Sequence, residues 1–284
     1  MTHSLAFLGP IGTYSDAASL ACAQWWEQNT QTALNRFPYP SISQTLKAVV
    51  DKDTQLAIVP VENSTEGSVT TTLDTLWQLD TLQIQQAWVL PISHALISKA
   101  DDISKIQSIY SHPQALAQCQ GWIEQTFPNV TLVPAQSTTE SLQYLDQPTA
   151  GAIASRRAAQ MYNLPVLAHP INDRRDNCTR FWVLGLDTSH TGTHTSLALS
   201  LPANVPGALL KPLEIFAQRG INLSRIESRP TKRSLGDYLF FLDIEADLAN
   251  PLVSSALEEL RPHTETLKTF GSYSIFQATD FIET

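Results

Sequence analysis

Asp176-Asn177-Cys178-Thr179-Arg180-Phe181 runs straight into Trp182-Val183-Leu184, so an amide, a hydroxyl, a guanidinium and an aromatic ring stand immediately ahead of an apolar stretch. The run reads as a polar site leading into a buried strand. Side chains of a strand alternate between its faces, which puts Asn177, Thr179 and Phe181 on one face and Cys178 and Arg180 on the other. A capped turn entering a strand, with Arg180 in a surface ion pair, fits the same residues. Of the ten Lys and Arg in residues 1–190, five (Arg156, Arg157, Arg174, Arg175 and Arg180) fall between 156 and 180, beside this motif. With a net charge of −9, the chain is expected to draw any anionic ligand through these local cations.

Outward from the motif, residues 1–187 alternate short apolar runs with amphipathic segments, the pattern of an α/β sheet covered by helices. Strands are expected at 4–8, 34–39, 56–60, 107–110, 130–134 and 150–154, and helices near 14–28, 41–51, 68–79, 113–126, 137–146 and 156–162. Strand and helix should follow one another throughout. The polar stretch Asp187-Thr188-Ser189-His190-Thr191-Gly192-Thr193-His194 suits a linker between domains. Beyond it the expected order is strand 195–201, helix 208–219, strands 221–229 and 237–244, helix 251–261 and strand 264–276. That is the βαββαβ order of a ferredoxin-like sandwich, a unit separate from the first.

At 284 residues, 43% hydrophobic and 16% charged, the chain has material for two cored domains and is neither disordered nor fibrous. No apolar stretch approaches the roughly 20 residues that span a bilayer, and the first residues lack a basic segment followed by an apolar one. A cytoplasmic, unprocessed protein is expected. The negative charge argues against nucleic acid or an anionic membrane as partner, because phosphate binding needs a local excess of Lys and Arg. Cys22, Cys119 and Cys178 are odd in number and form no Cys-x-x-Cys, so free thiols are expected. The histidines show no metal-ligand spacing, and no metal is expected.

Four further stretches carry polar chemistry. Gly9-Pro10-Ile11-Gly12-Thr13-Tyr14-Ser15 lies between a strand and a helix, and makes either an anion site or a plain turn capped by Thr13 or Ser15. Ile58 to Ser68 places Glu62, Asn63, Ser64 and Thr65 at the carboxyl end of a buried strand, where open α/β sheets bind ligands. Asn63 and Ser64 can donate to a carboxylate or hydroxyl, whereas Glu62 repels a dianion unless an arginine neutralises it. Ser111-His112-Pro113-Gln114-Ala115-Leu116 repeats the arrangement, with His112 read as structural before it is read as an acid or base. In the second unit, Val205-Pro206-Gly207-Ala208-Leu209-Leu210 opens a helix whose first amides are free for an anion, with Pro212 tolerated only if the helix begins close by. Glu227-Ser228-Arg229-Pro230 ends a strand with an acid and a base, able to hold the ammonium of a zwitterion or to form a surface pair.

In this order and across nearly the whole chain, Gly9–Ser15, Val59–Val69, Ser111–Cys119, Asp176–Phe181, Gly207–Leu210 and Glu227–Pro230 resemble the prephenate dehydratase family. The resemblance implies conversion of prephenate to phenylpyruvate with loss of water and carbon dioxide, in phenylalanine biosynthesis and without a cofactor. It implies a two-lobed, periplasmic-binding-protein-like catalytic domain over 1–187, with lobe one at 1–79 plus 170–187 and lobe two at 80–169. A linker at 188–194 and an ACT domain over 195–284 follow, the latter binding phenylalanine as an inhibitor at a dimer interface. Thr179, Arg180 and Phe181 inherit a catalytic assignment. Thr13, Tyr14, Asn63, Ser64, Ser111, Gln114 and Asn177 inherit substrate binding. Gly207, Ala208, Leu209, Leu210, Glu227, Ser228, Arg229 and Pro230 inherit phenylalanine binding. Asp16 stands where some relatives carry histidine and takes no role. The chorismate mutase domain fused to some members has no counterpart ahead of residue 1, so a monofunctional enzyme is expected, self-associating as a dimer or tetramer. Arogenate dehydratase and a non-catalytic amino-acid-sensing binding protein are the alternatives; the intact Thr179-Arg180-Phe181 speaks against the second.

Overall fold

The computed structural model describes residues 3–281. The chain first forms β1 (His3–Leu8), α1 (Tyr14–Thr30), β2 (Leu34–Tyr39), α2 (Ile42–Val50), β3 (Leu56–Asn63), β4 (Gly67–Ser68), α3 (Thr70–Gln78) and β5 (Gln83–Pro91). It crosses to a second sheet through β6 (His94–Ile97), β7 (Ser108–Ser111), α4 (Pro113–Ala117), α5 (Gln120–Thr126), β8 (Thr131–Pro134), β9 (Ala150–Ser155), α6 (Arg156–Met161) and β10 (Val166–Ala168). β11 (Cys178–Gly185) returns to the first sheet. There β1 pairs in parallel with β2 and β3, while β11 inserts antiparallel between β3 and β5. The second lobe has the order β10-β6-β9-β7-β8.

Strict strand–helix alternation does not hold. Neither β5 nor β6 was expected, because the glutamines of Gln83-Ile84-Gln85-Gln86 dilute the apolar signal of β5; Ile84, Ala87, Trp88 and Leu90 are nevertheless buried. Since β5 lies in the first sheet, the passage to the second lobe falls after Pro91, not after residue 79. The expected helix at 113–126 is broken at Cys119, which has left helical geometry (φ −120°, ψ 11°), and 137–146 is a 3-10 turn over Glu140–Asp146.

The second unit follows the expected order: β12 (His194–Ser200), α7 (Leu210–Ala217), β13 (Leu223–Pro230), β14 (Tyr238–Ile244), α8 (Pro251–Leu260) and β15 (Thr266–Gln277). Its strands lie in the order β13-β14-β12-β15, all antiparallel. It is not a detached body. Ser274–Gln277 of β15 pair in parallel with Gln86–Val89 of β5, so the two sheets run together. Gly271 (φ +97°) marks the place where β15 passes between them, and a Cβ there would stand 3.1 Å from the Ile84 carbonyl oxygen. Phe241, Phe270 and Tyr273 share a core with Trp182, Leu73 and Leu76 of the first unit. The stretch read as a linker is pinned along β15: Ser272 N donates to Ser189 O (2.8 Å) and Thr193 N to Tyr273 O (3.0 Å). No helix among the described residues is long and apolar enough to cross a membrane.

Candidate active site

The cleft between the lobes holds a cavity of about 1140 Å³. Thr13 and Tyr14 at the start of α1, Asn63 at the end of β3, and Thr179 and Phe181 on β11 line one side; His94, His112, Gln114 and Gln118 line the other. The alternation of β11 thus places the hydroxyl and the ring on the cavity side. Thr13 caps α1, its Oγ1 accepting from Asp16 N (3.3 Å) and donating to Pro10 O (2.8 Å). His112 caps α4 through Nδ1, which accepts from Gln114 N (3.3 Å).

Asn63 is the hub. Its Oδ1 accepts from the backbone N–H groups of Thr65 (3.0 Å) and Glu66 (3.1 Å), a local turn available to an asparagine at a strand end. Its Nδ2 faces Cys178 O (3.2 Å), Asn177 Oδ1 (2.8 Å) and Thr179 Oγ1 (3.0 Å). Thr179 therefore accepts from Asn63 and keeps its own hydrogen for the cavity. Asn177, 2% exposed, stands behind the wall and donates to Gln118 Oε1 (2.9 Å). Gln118 Oε1 in turn faces His94 Nε2 (3.0 Å). Burial pushes the His94 imidazole down to about 4, partly offset by its bond to Gln118, and burial also lowers His112 and raises the Tyr14 phenol.

Four residues expected at the site, Asn177, Arg180, Ser64 and Ser111, stand off the cavity wall. Arg180 is off the cavity because its neighbours on the strand face it: its Nη1 lies 3.8 Å from Glu62 and 3.5 Å from Asp243 on β14. That pairing neutralises Glu62, as the sequence required. Ser64 and Ser111 are structural. Ser64 Oγ accepts from Cys178 N (3.0 Å), and Ser111, fully buried, donates to Ile153 O (2.6 Å). Nor does the cluster of basic residues line the cavity: Arg157 is committed to Asp16, Arg174 and Arg175 face solvent, and among the described residues no Lys or Arg lines it.

The residues missed by sequence reasoning are His94, Gln118 and Asp16. His94 sits on a strand that was not expected, and Gln118 lies four residues beyond the Gln114 that was chosen from the same motif. Asp16, fully buried, binds Arg36 of the first lobe (2.6 Å), Arg157 of the second (2.5 Å) and Gly12 N (2.9 Å), tying the lobes at the rim of the cleft. Two arginines at positions 36 and 157 gave no local signal of this.

In the second unit α7 begins at Leu210, which places Pro212 in its first turn, as it must be. Gly207 (φ +81°) precedes it, and Leu210 is 58% exposed. Glu227 and Arg229 of β13 do not pair with each other: Glu227 accepts from Ser68 Oγ (3.0 Å), and Arg229 holds both carboxylate oxygens of Asp74 (3.1 and 3.2 Å).

The fold and cleft define a two-lobed α/β protein with a C-terminal βαββαβ unit, and comparison places it further. Residues 5–189 match the prephenate dehydratase family model and residues 195–262 the ACT domain model. The chain is 36% identical over 282 residues to a prephenate dehydratase of Lactococcus lactis subsp. cremoris (strain MG1363), covering 96% of this chain and 98% of that protein. The prephenate dehydratase of Arthrobacter aurescens solved in complex with L-Phe is 35% identical with a TM-score of 0.84, over 95% of this chain and 90% of that one. GqqA, described as a quorum quenching acylase, is 26% identical with a TM-score of 0.78, over 96% and 98%. The chain belongs to the prephenate dehydratase family.

Proposed function

We propose that the chain is a lyase that converts prephenate to phenylpyruvate, with phenylalanine acting through the ACT domain as a feedback inhibitor. Prephenate carries two carboxylates and a C4 hydroxyl on a cyclohexadiene ring. The bond to the ring carboxylate breaks, its electron pair enters the ring, and the C4–O bond breaks as the hydroxyl takes a proton. Dianion plus one proton gives the phenylpyruvate monoanion, carbon dioxide and water. Aromatisation drives the reaction, so the protein must orient two anions and help the hydroxyl leave.

The observation that carries the reading is the Asn63–Thr179 bond, which leaves a threonine hydrogen directed at the cavity. Thr179 acts as the hydrogen-bond donor to the departing oxygen, and Phe181, Thr13, Tyr14 and Gln114 shape and position the substrate around it. Asn63 and Asn177 orient the donor. An acylase reading of the same cleft needs a nucleophile with a base to take its proton. Thr179 Oγ1 instead meets an amide that donates to it. Thr179→Ser retaining most activity, with Thr179→Val losing about 10²-fold or more in kcat, tests the assignment; equal activity in the two variants overturns it.

Phenylalanine is proposed to dock between Gly207, Ala208, Leu209 and Leu210 of one subunit and Glu227, Ser228, Arg229 and Pro230 of its partner, in a dimer or tetramer. Ligand capture by Glu227 and Arg229 competes with their bonds to Ser68 and Asp74. Those residues follow the Asn63 turn, so differential affinity for the two arrangements reaches the catalytic hydroxyl. Gel filtration and inhibition curves with and without phenylalanine test this, and an unchanged elution with no inhibition removes it.

A further inference from the structure

The cavity proposed to receive a dianion has no lysine or arginine in its wall among the described residues, but one group in that wall stands one proton short. The count follows from the backbone. Asn63 is fixed by three main-chain bonds, so Nδ2 faces Asn177 and Asn177 must present Oδ1 to it. Asn177 then turns Nδ2 to Gln118, Gln118 turns Oε1 to His94, and His94 Nε2 must carry a hydrogen. At the other ring nitrogen, Nδ1 lies 3.1 Å from Tyr14 Oη, which lies 2.8 Å from Ser93 O. With a neutral ring, one phenol hydrogen faces two acceptors. With an imidazolium, Nδ1–H donates to Tyr14, Tyr14 donates to Ser93 O, and both ring nitrogens of His94 have acceptors.

We propose that His94 takes up a proton as the dianionic substrate enters, its imidazolium becoming the positive charge that the cavity wall otherwise lacks. The inference rests on the prephenate reading. His112 cannot serve in the same way, because its Nδ1 already accepts the cap hydrogen of α4. The groups around His94 are Tyr14 from α1 and Gln118 from the α4–α5 break, with Cys119 beyond Tyr14 and Asp173 behind Cys119, and His169 beyond Ser93. Burial keeps the ring neutral in the empty cavity, and an opposite charge within a few ångströms favours the protonated form.

The test is kcat/KM for prephenate between pH 5 and 8. The expected profile falls as pH rises, approaching about tenfold per pH unit between the free and bound imidazole values. His94→Gln keeps a donor to Gln118 but cannot be charged, and is expected to flatten the profile. Calorimetry of prephenate binding to Thr179→Val in phosphate and in Tris gives a readout without the His94 variant: proton uptake of close to one per site is expected at pH 6. A flat profile in the parent chain, the same slope in His94→Gln, or binding without proton uptake overturns the inference. Absence of turnover by the parent defeats the prephenate reading itself, whereas turnover with a flat profile defeats only the role of His94.

Discussion

In the proposed role, Thr179 acts through the direction of one hydrogen, which Asn63 and the network behind it set. Asn63→Asp preserves the acceptor for Thr65 and Glu66 but removes the donor to Thr179, whose hydroxyl then turns toward the new carboxylate. The expected outcome is a fall in kcat of about 10²-fold with a smaller change in KM, read from steady-state kinetics. His94 adds a pH signature of stability. Its folded value of about 4 lies below its ordinary 6.5, so the folded state binds fewer protons between the two. Its contribution is complete above pH 6.5 and is lost as pH falls toward 4, with about 3 kcal/mol at stake for a ring that is buried. Urea titrations from pH 7 to pH 4.5 should show this slope, and His94→Gln should reduce it.

Among the elements, α1 and β11 place Tyr14, Thr179 and Phe181 in the cleft, and both were legible for a physical reason. The capped turn at Thr13 and the alternation of Thr179 with Phe181 are local properties of a dozen residues. The inter-lobe tie at Asp16 is not local: it joins α1 to Arg36 on β2 and Arg157 on α6. Asp16→Asn leaves two guanidinium groups facing a neutral amide. Breaking a buried pair costs about 3–5 kcal/mol, and the partial exposure of both arginines reduces this to about 2 kcal/mol. A drop of several degrees in Tm is the expected result. The β5 and β6 strands escaped the sequence because glutamines and a short, fully buried run carry no period-2 pattern. With them went His94, and with the unforeseen break at Cys119 went Gln118. Arg180 was misassigned to the cavity although alternation already directed it elsewhere, since its partners Glu62 and Asp243 lie 118 and 63 residues away in the chain.

On the scale of the whole molecule, β11 is held between the two units. Thr179 faces the cleft while its neighbour Arg180 reaches Asp243, which also receives Arg225 of β13 (3.4 Å). β15 adds a covalent continuity by crossing from one sheet to the other. Arg180→Ala is therefore expected to lose less kcat than Thr179→Val while weakening phenylalanine inhibition by about fivefold or more, the usual size of a coupling between sites. Inhibition curves on the two proteins decide this, and an unaltered response removes Arg180 from the coupling. The most direct measurement of the central claim is turnover of prephenate to phenylpyruvate at neutral pH by the purified chain beside Thr179→Val, with and without phenylalanine. Turnover by the parent, its loss in the variant and its suppression by phenylalanine are the expected results. A folded parent that leaves prephenate unchanged, or a Thr179→Val protein that matches it, would contradict the account.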